Sequence, residues 1–203
     1  MKIVIVDYKM GNLKSIASAL IHLGATNVIV SDNYELLSSA DKLILPGVGA
    51  FGKAIAEIKE KKLDHILKEL VLEKHKPILG ICLGMQLLGL SSDEGGLNEG
   101  LGFVKGTVTS FDSTKMKVPH VGFNQVKTKQ ELKLYKNIPD NADFYFTHSY
   151  KMQSSENINQ CECDYNGNFI ASFEVNNIAG VQFHPELSQH NGLKLLKNFM
   201  TEF

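Results

Sequence analysis

"KPILGICLGMQLLG", residues 76–89, changes character in mid-run. Pro77 to Ile81 is a continuous apolar stretch of strand length, and from Leu83 onward the apolar residues fall at helical spacing. A strand therefore turns into a helix with almost no loop between them, and Cys82 stands at the turn between Gly80 and Gly84. In so sharp a turn the residues two positions away crowd the one at the apex, and glycine avoids the clash that a Cβ would cause. This is the pattern of a nucleophile elbow. The helix N-terminus beside it supplies free N–H groups and a partial positive charge, which favour a thiolate and can hold a developing oxyanion. A cysteine that merely fills apolar space has no need of a bare turn.

Outward from the elbow, strand and helix alternate. "KIVIVD" (2–7), "NVIV" (27–30), "KLILP" (42–46) and "PILGI" (77–81) are apolar runs. Between them lie helical stretches starting at Leu13 and Glu35, and a long one from Phe51 to about Lys74. Continuous rather than alternating apolar strands between helices imply a parallel sheet covered on both faces, an α/β architecture. From about Leu101 the strand candidates crowd together as "FVKGTVTSF", "NQVKT", "DFYFTHSY", "FIASFEV" and "IAGVQF". They read as antiparallel or mixed additions to the same, mostly parallel central sheet. "GLKLLKNFM" (192–200) carries Leu193, Leu196, Phe199 and Met200 on one side and closes the chain as an amphipathic helix.

At 203 residues the chain fits one domain, 1–203, able to bury a core without metal or disulfides. Charged residues make up 21% and the formal net charge is −1, so no basic field invites nucleic acid, and a small neutral or weakly anionic ligand suits the surface better. Cys161 and Cys163 alternate along a strand candidate without the spacing of a zinc site, and three cysteines are an odd number. Reduced thiols in a cytoplasmic protein, with no metal and no cofactor, are expected. "MKIVIVD" is too short for a signal h-region or a membrane span, and no membrane association is expected.

A nucleophilic thiol needs a base and a group to orient that base. Among seven histidines, His184 in "GVQFHPELS" sits at the end of an apolar strand with Pro185 and Glu186 after it. In an extended segment residues two apart point the same way, so Glu186 can orient the imidazole. Cysteine, histidine and carboxylate together suit acyl transfer through a thioester. His148 is the next candidate for the base.

"GICLGMQ" (80–86) with "FHPE" (183–186) resembles the class I glutamine amidotransferases, triad glutaminases that release ammonia from glutamine for a synthase. The resemblance implies a flavodoxin-like fold, with Cys82 as nucleophile, His184 as general base and acid, and Glu186 as its orienter. "DYKMGNLKS" (7–15), "LPGVGAFG" (45–52), "VPHVGFNQV" (118–126) and "FYFTHSY" (144–150) narrow the likeness to the glutaminase branch of imidazole glycerol phosphate synthase, across almost the whole chain. Glutaminases of anthranilate or carbamoyl phosphate synthases usually carry two adjacent glycines after the proline, where this chain has Gly47, Val48 and Gly49. The glycines of that loop let the backbone pass close to Cys82, so the N–H of Val48 or Gly49 can join that of Leu83 as an oxyanion hole. Gln86 lies one helical turn past Cys82 and faces the same mouth, and the resemblance gives it a contact to glutamine. It likewise assigns the amino acid end of glutamine to Thr147, His148 and Ser149; "VPHVGFNQV" reads as a loop entering a strand, and the resemblance turns that loop to the partner, with His120, Asn124 and Leu187 at the interface. The implied partner is a separate cyclase subunit, forming a heterodimer with an internal ammonia passage and making imidazole glycerol phosphate and AICAR in histidine biosynthesis.

Leu187 departs from the lysine that usually follows His-Pro-Glu in this branch, Phe123 from a frequent tryptophan, and Lys9 from a usual glycine. None touches the triad. Loss of an interface lysine fits a second reading, a paralogous glutaminase feeding a sugar amidation synthase in surface polysaccharide biosynthesis. A partner-independent cysteine hydrolase or chaperone-like protein, and a regulatory pseudoenzyme, are the rivals from other classes. The intact triad opposes the last.

Overall fold

The computed structural model describes residues 1–203. Its first half alternates as the apolar runs dictate: β1 (Lys2–Val6), α1 (Leu13–His22), β2 (Asn27–Ser31), α2 (Tyr34–Ser38), β3 (Lys42–Leu45), α3 (Phe51–Glu60), α4 (Leu63–Lys68), β4 (Ile78–Ile81) and α5 (Leu83–Leu87). Strands dominate the second half: β5 (Ser91–Ser92), β6 (Asn98–Glu99), β7 (Thr107–Ser110), β8 (His120–Lys127), β9 (Ala142–His148), β10 (Tyr150–Gln153), β11 (Cys161–Asp164), β12 (Asn168–Val175) and β13 (Ile178–Val181). Helix α6 (Gln189–Glu202) ends the chain.

Nine strands form one sheet in the order β2-β1-β3-β4-β13-β12-β11-β8-β9. The pairs from β2 through β13 are parallel and those from β13 to β9 antiparallel. Every residue of β3, β4 and β13 is buried, as a sheet covered on both faces requires. Alternation along β1 sends Ile3 and Ile5 into the core beneath α1 and α6, and Val4 and Val6 into the core shared with α3, α4 and α5. Lys42 at the start of β3 is buried and donates from Nζ to the carbonyl of Phe199 at 2.9 Å, tying α6 to the sheet. No helix is long and apolar enough to cross a membrane.

Three expectations need correction. The long helix from Phe51 to about Lys74 is broken: Lys62 takes φ 56°, α4 starts afresh, and a π-helical turn over Glu69–Glu73 ends the segment. Lys61 at the break turns its ammonium to the Asp32 carboxylate at 2.5 Å and the Asp7 carbonyl at 3.2 Å, contacts that the apolar periodicity does not encode. Nor do the added strands all join the central sheet, because β10, β7, β5 and β6 make a second, four-stranded one. "DFYFTHSY" is divided at Ser149, where the chain leaves β9 of the first sheet for β10 of the second. "VPHVGFNQV" is a strand from His120 onward, paired residue by residue with β9, rather than a loop leading into one.

Candidate active site

Cys82 holds φ 54° and ψ −112°, a strained backbone for a side-chain-bearing residue. Its N–H donates to the Val181 carbonyl at 2.8 Å, and its carbonyl accepts from Gln86 N at 3.2 Å, so the turn is pinned between β13 and α5. The two glycines have separate reasons. A Cβ at Gly84 would sit 1.9 Å from the carbonyl oxygen of Leu45 on β3, and one at Gly80 would sit 2.7 Å from the Met85 backbone. Leu83 opens α5, so its N–H has no acceptor within the helix.

His184 follows β13 and is held by its own backbone N–H to the Tyr145 carbonyl at 2.9 Å. Ser188 clamps the same junction, donating to the His184 carbonyl at 2.6 Å and accepting from Tyr145 N at 2.9 Å. His184 Nδ1–H donates to Glu186 Oε1 at 2.9 Å, with both side chains buried. The pairing is as expected but its geometry is not. Pro185–Leu187 is a 3-10 turn, and the turn rather than extended alternation brings the carboxylate back to the ring. His184 Nε2 is buried with no other hydrogen-bond partner and is the ring nitrogen left for Cys82. Burial opposes a charged imidazole here, but Cys82 beside the ring and the hydrogen-bonded Glu186 carboxylate outweigh it and lift the His184 pKa to about 10.

A cavity of about 410 Å³ opens over Cys82 and brings together Val48, Gly49, Leu83, Gln86 and the segment Thr147, His148 and Ser149. Gln86 is buried and donates from Nε2 to the Tyr150 carbonyl at 3.0 Å and to Gln182 Oε1 at 2.9 Å. His148 is engaged elsewhere. Its Nδ1–H donates to the Tyr150 carbonyl at 2.8 Å, so Nε2 of the neutral ring accepts from His120 Nδ1–H at 3.1 Å. Burial pushes the His148 pKa down to about 3 and that of His120 to about 4, so neither ring competes with His184 as the candidate base. Cys161 and Cys163 share the buried face of β11, and burial pushes their thiols up to about 11 and about 12. No three His, Cys, Asp or Glu side chains converge to hold a metal ion.

The family model described as glutamine amidotransferase class-I matches residues 4–203. The chain belongs to the class I glutamine amidotransferases. Over 199 residues it is 45% identical to imidazole glycerol phosphate synthase subunit HisH 1 of Campylobacter jejuni (strain RM1221), covering 98% of each chain. Over 200 residues it is 44% identical to subunit HisH of Aquifex aeolicus (strain VF5), covering 98% of this chain and 96% of that one. Among solved structures, a glutamine amidotransferase superposes with TM-score 0.77 at 17% identity, covering 97% of this chain and 96% of that one. PurLQS from Thermotoga maritima superposes with TM-score 0.75 at 19% identity, covering 99% and 98%. At such identities these two show the fold alone.

Not every expected residue of this amidotransferase stands where its sequence suggests. His120 is only 3% exposed and stacks 3.9 Å from the Tyr165 ring, so its side chain is part of the interior and not of an interface. Because β8 begins at His120, alternation turns Val121 and Phe123 outward instead, at 57% and 49% exposure. Asn124 is half-buried and donates to the Asp164 carbonyl at 3.1 Å, while Leu187 is exposed. Three residues of the site escape a reading of the sequence. Glu94 lines the cavity and accepts from Phe51 N at 2.8 Å, but in "SSDEGG" it looks like one more polar turn residue. Tyr150 lines it too, through the strand break at Ser149. Gln182, buried behind Cys82, is visible only as an amide inside an apolar run.

Proposed function

We propose that this chain is the glutaminase subunit of imidazole glycerol phosphate synthase, acting in the cytoplasm beside a separate cyclase subunit in histidine biosynthesis. The observation that carries the chemistry is the buried Glu186–His184 pair, whose one unpartnered nitrogen is left for Cys82 at the floor of the cavity. Cys82 and Glu186 beside it raise the His184 pKa, so the imidazole can hold the proton that the thiol gives up when it attacks. The thiolate attacks the carboxamide carbon of glutamine, and the oxyanion is held by the N–H of Leu83 and an N–H of Val48 or Gly49. His184 gives its proton to the departing nitrogen, ammonia leaves, and a glutamyl thioester remains. Neutral His184 then takes a proton from water as it attacks the thioester. Glutamate departs and the thiolate returns.

Glu94, fixed by the Phe51 N–H, supplies negative charge at the cavity wall for the substrate ammonium, and Gln86 with Thr147–Ser149 frames the amino acid end. Ammonia released into solvent is protonated and lost, so it must pass inside to a partner. Exposed Val121, Phe123 and Leu187 offer an apolar face for that partner. The test is glutamate production by the purified chain with and without its cognate cyclase and acceptor. Stimulation by about 10² to 10³, the worth of one oxyanion donor, supports the reading. Stimulation by a sugar-modifying synthase alone would assign the chain to the sugar amidation reading.

A further inference from the structure

Glutamine hydrolysis by the triad leaves one polar side chain at the nucleophile without a task. Gln182, two residues before His184, is fully buried, and a buried amide of this kind is kept only where its donors and acceptors are met. Its orientation follows from its neighbours. The Tyr150 carbonyl can only accept, so the end of Gln86 that lies 3.0 Å from it is Nε2. The same Nε2 lies 2.9 Å from the Gln182 side chain, which must present its oxygen there. Gln182 is thereby left with its amide N–H turned to Cys82, and Nε2 stands 3.8 Å from Sγ.

We propose that Gln182 is a positioning residue for the nucleophile, donating its amide N–H to the Cys82 sulfur while its oxygen fixes Gln86 to the same point. The inference rests on the reading of Cys82 as nucleophile. A donor aimed at sulfur favours the charged form over the neutral thiol and fixes its direction. Rigidity comes from behind: the Tyr150 carbonyl that holds Gln86 also accepts from His148, itself held by His120. Side-chain amides do not titrate, so Gln182 favours the thiolate without a charge of its own. The ionisable side chains around the nucleophile are His184 with its partner Glu186, Tyr8, His148, Tyr150 and Glu94. Burial keeps Tyr8 and Tyr150 phenols and His148 neutral through the working range, so the buried His184–Glu186 pair is the titrating partner closest to Cys82.

The experiment follows alkylation of Cys82 by iodoacetamide against pH in the full chain, read by peptide mass, for the unaltered protein, Gln182→Met and Gln182→Asn. Methionine keeps the volume and removes the donor, whereas asparagine withdraws it by one methylene. The expected result is an alkylation midpoint raised by about one pH unit in Gln182→Met, with kcat for glutamine about tenfold lower and KM changed less than about threefold. Should Gln182→Met fail to fold, Gln182→Asn carries the test, with a midpoint shift in the same direction. An unchanged midpoint in whichever variant folds overturns the inference and leaves the nucleophile assignment standing. No alkylation of Cys82 in the unaltered chain overturns both.

Discussion

Two glycine-bearing turns meet at Cys82, the proposed nucleophile, and they are built in opposite ways. At the elbow neither glycine has spare volume, since a Cβ at Gly84 or Gly80 would run into backbone at 1.9 Å or 2.7 Å. The loop after β3 begins equally tight: a Cβ at Gly47 would meet the Tyr8 hydroxyl at 2.6 Å, and that hydroxyl donates to the Pro46 carbonyl at 2.5 Å. Two residues on, the constraint is gone. Val48 is 43% exposed, and a Cβ at Gly49 would meet only the terminal methyl of Met10, the end of a flexible side chain. Gly49 also holds φ +109°, open to glycine and costly to any other residue. Cys82, the proposed nucleophile, is thus held by close backbone contacts, whereas the proposed oxyanion donor rides on a short uncrowded step between Gly47 and the Phe51 N–H that donates to Glu94. If a partner settles that step, the hole is completed only in the complex and glutamine is not wasted, which is the comparison the variants below test.

The largest effect is expected on the locked side. His184→Ala should cut kcat/KM for glutamine by about 10² to 10⁴, and Glu186→Gln, which keeps a hydrogen-bonding side chain, should retain more activity. Steady-state glutamate release reads both, and a His184→Ala rate equal to the unaltered one would move the base elsewhere. Next comes Gly84→Ala, where a methyl forced against the Leu45 carbonyl should cost about 3 kcal/mol or more in a urea titration. A melt unchanged by that methyl would mean the elbow is not locked. On the uncrowded side, Gly49→Ala should lower stability by only about 1 kcal/mol and leave the unstimulated rate alone, yet reduce partner-stimulated turnover up to about 10²-fold. Equal stimulation in Gly49→Ala and the unaltered chain would remove the loop from the gating step.

The smallest expected effect lies behind the cavity. Burial holds His120 at about 4 and His148 at about 3, below the free value, so as pH falls from about 6.5 the unfolded chain takes up protons first. The stability drawn from these neutral rings is therefore full above about pH 6.5 and is lost as pH falls toward their folded values. His120→Phe removes one such ring, so its destabilisation should be smaller at pH 5 than at pH 8, by about 1 to 2 kcal/mol. Urea midpoints at the two pH values check this.

The parallel half and the elbow are legible because one physical signal serves each: unbroken apolar runs for strands buried on both faces, and paired glycines where a Cβ has no room. His184 with Glu186 is legible as a pair but for a different geometry, since a 3-10 turn brings the carboxylate back. The features that escape the sequence depend on contacts made at a distance. The apolar spacing of Phe51 to Lys74 continues through Lys62, and only the Lys61 contacts to Asp32 and Asp7 mark the break. Sheet membership of "DFYFTHSY" turns on the single step at Ser149, which alternation cannot reveal. His120 would face outward from a loop that precedes the strand, but β8 begins at His120 itself, which buries that ring and exposes Val121 and Phe123.

The most direct measurement treats the full chain with a diazoketone analogue of glutamine and maps the adduct by peptide mass. Cys161 and Cys163 are buried thiols held well above neutral pH by that burial, whereas Cys82 stands at the cavity floor. One adduct per chain is expected, on Cys82 alone, and none on the Cys82→Ser protein. Labelling spread over all three thiols, or absent from Cys82, would contradict it.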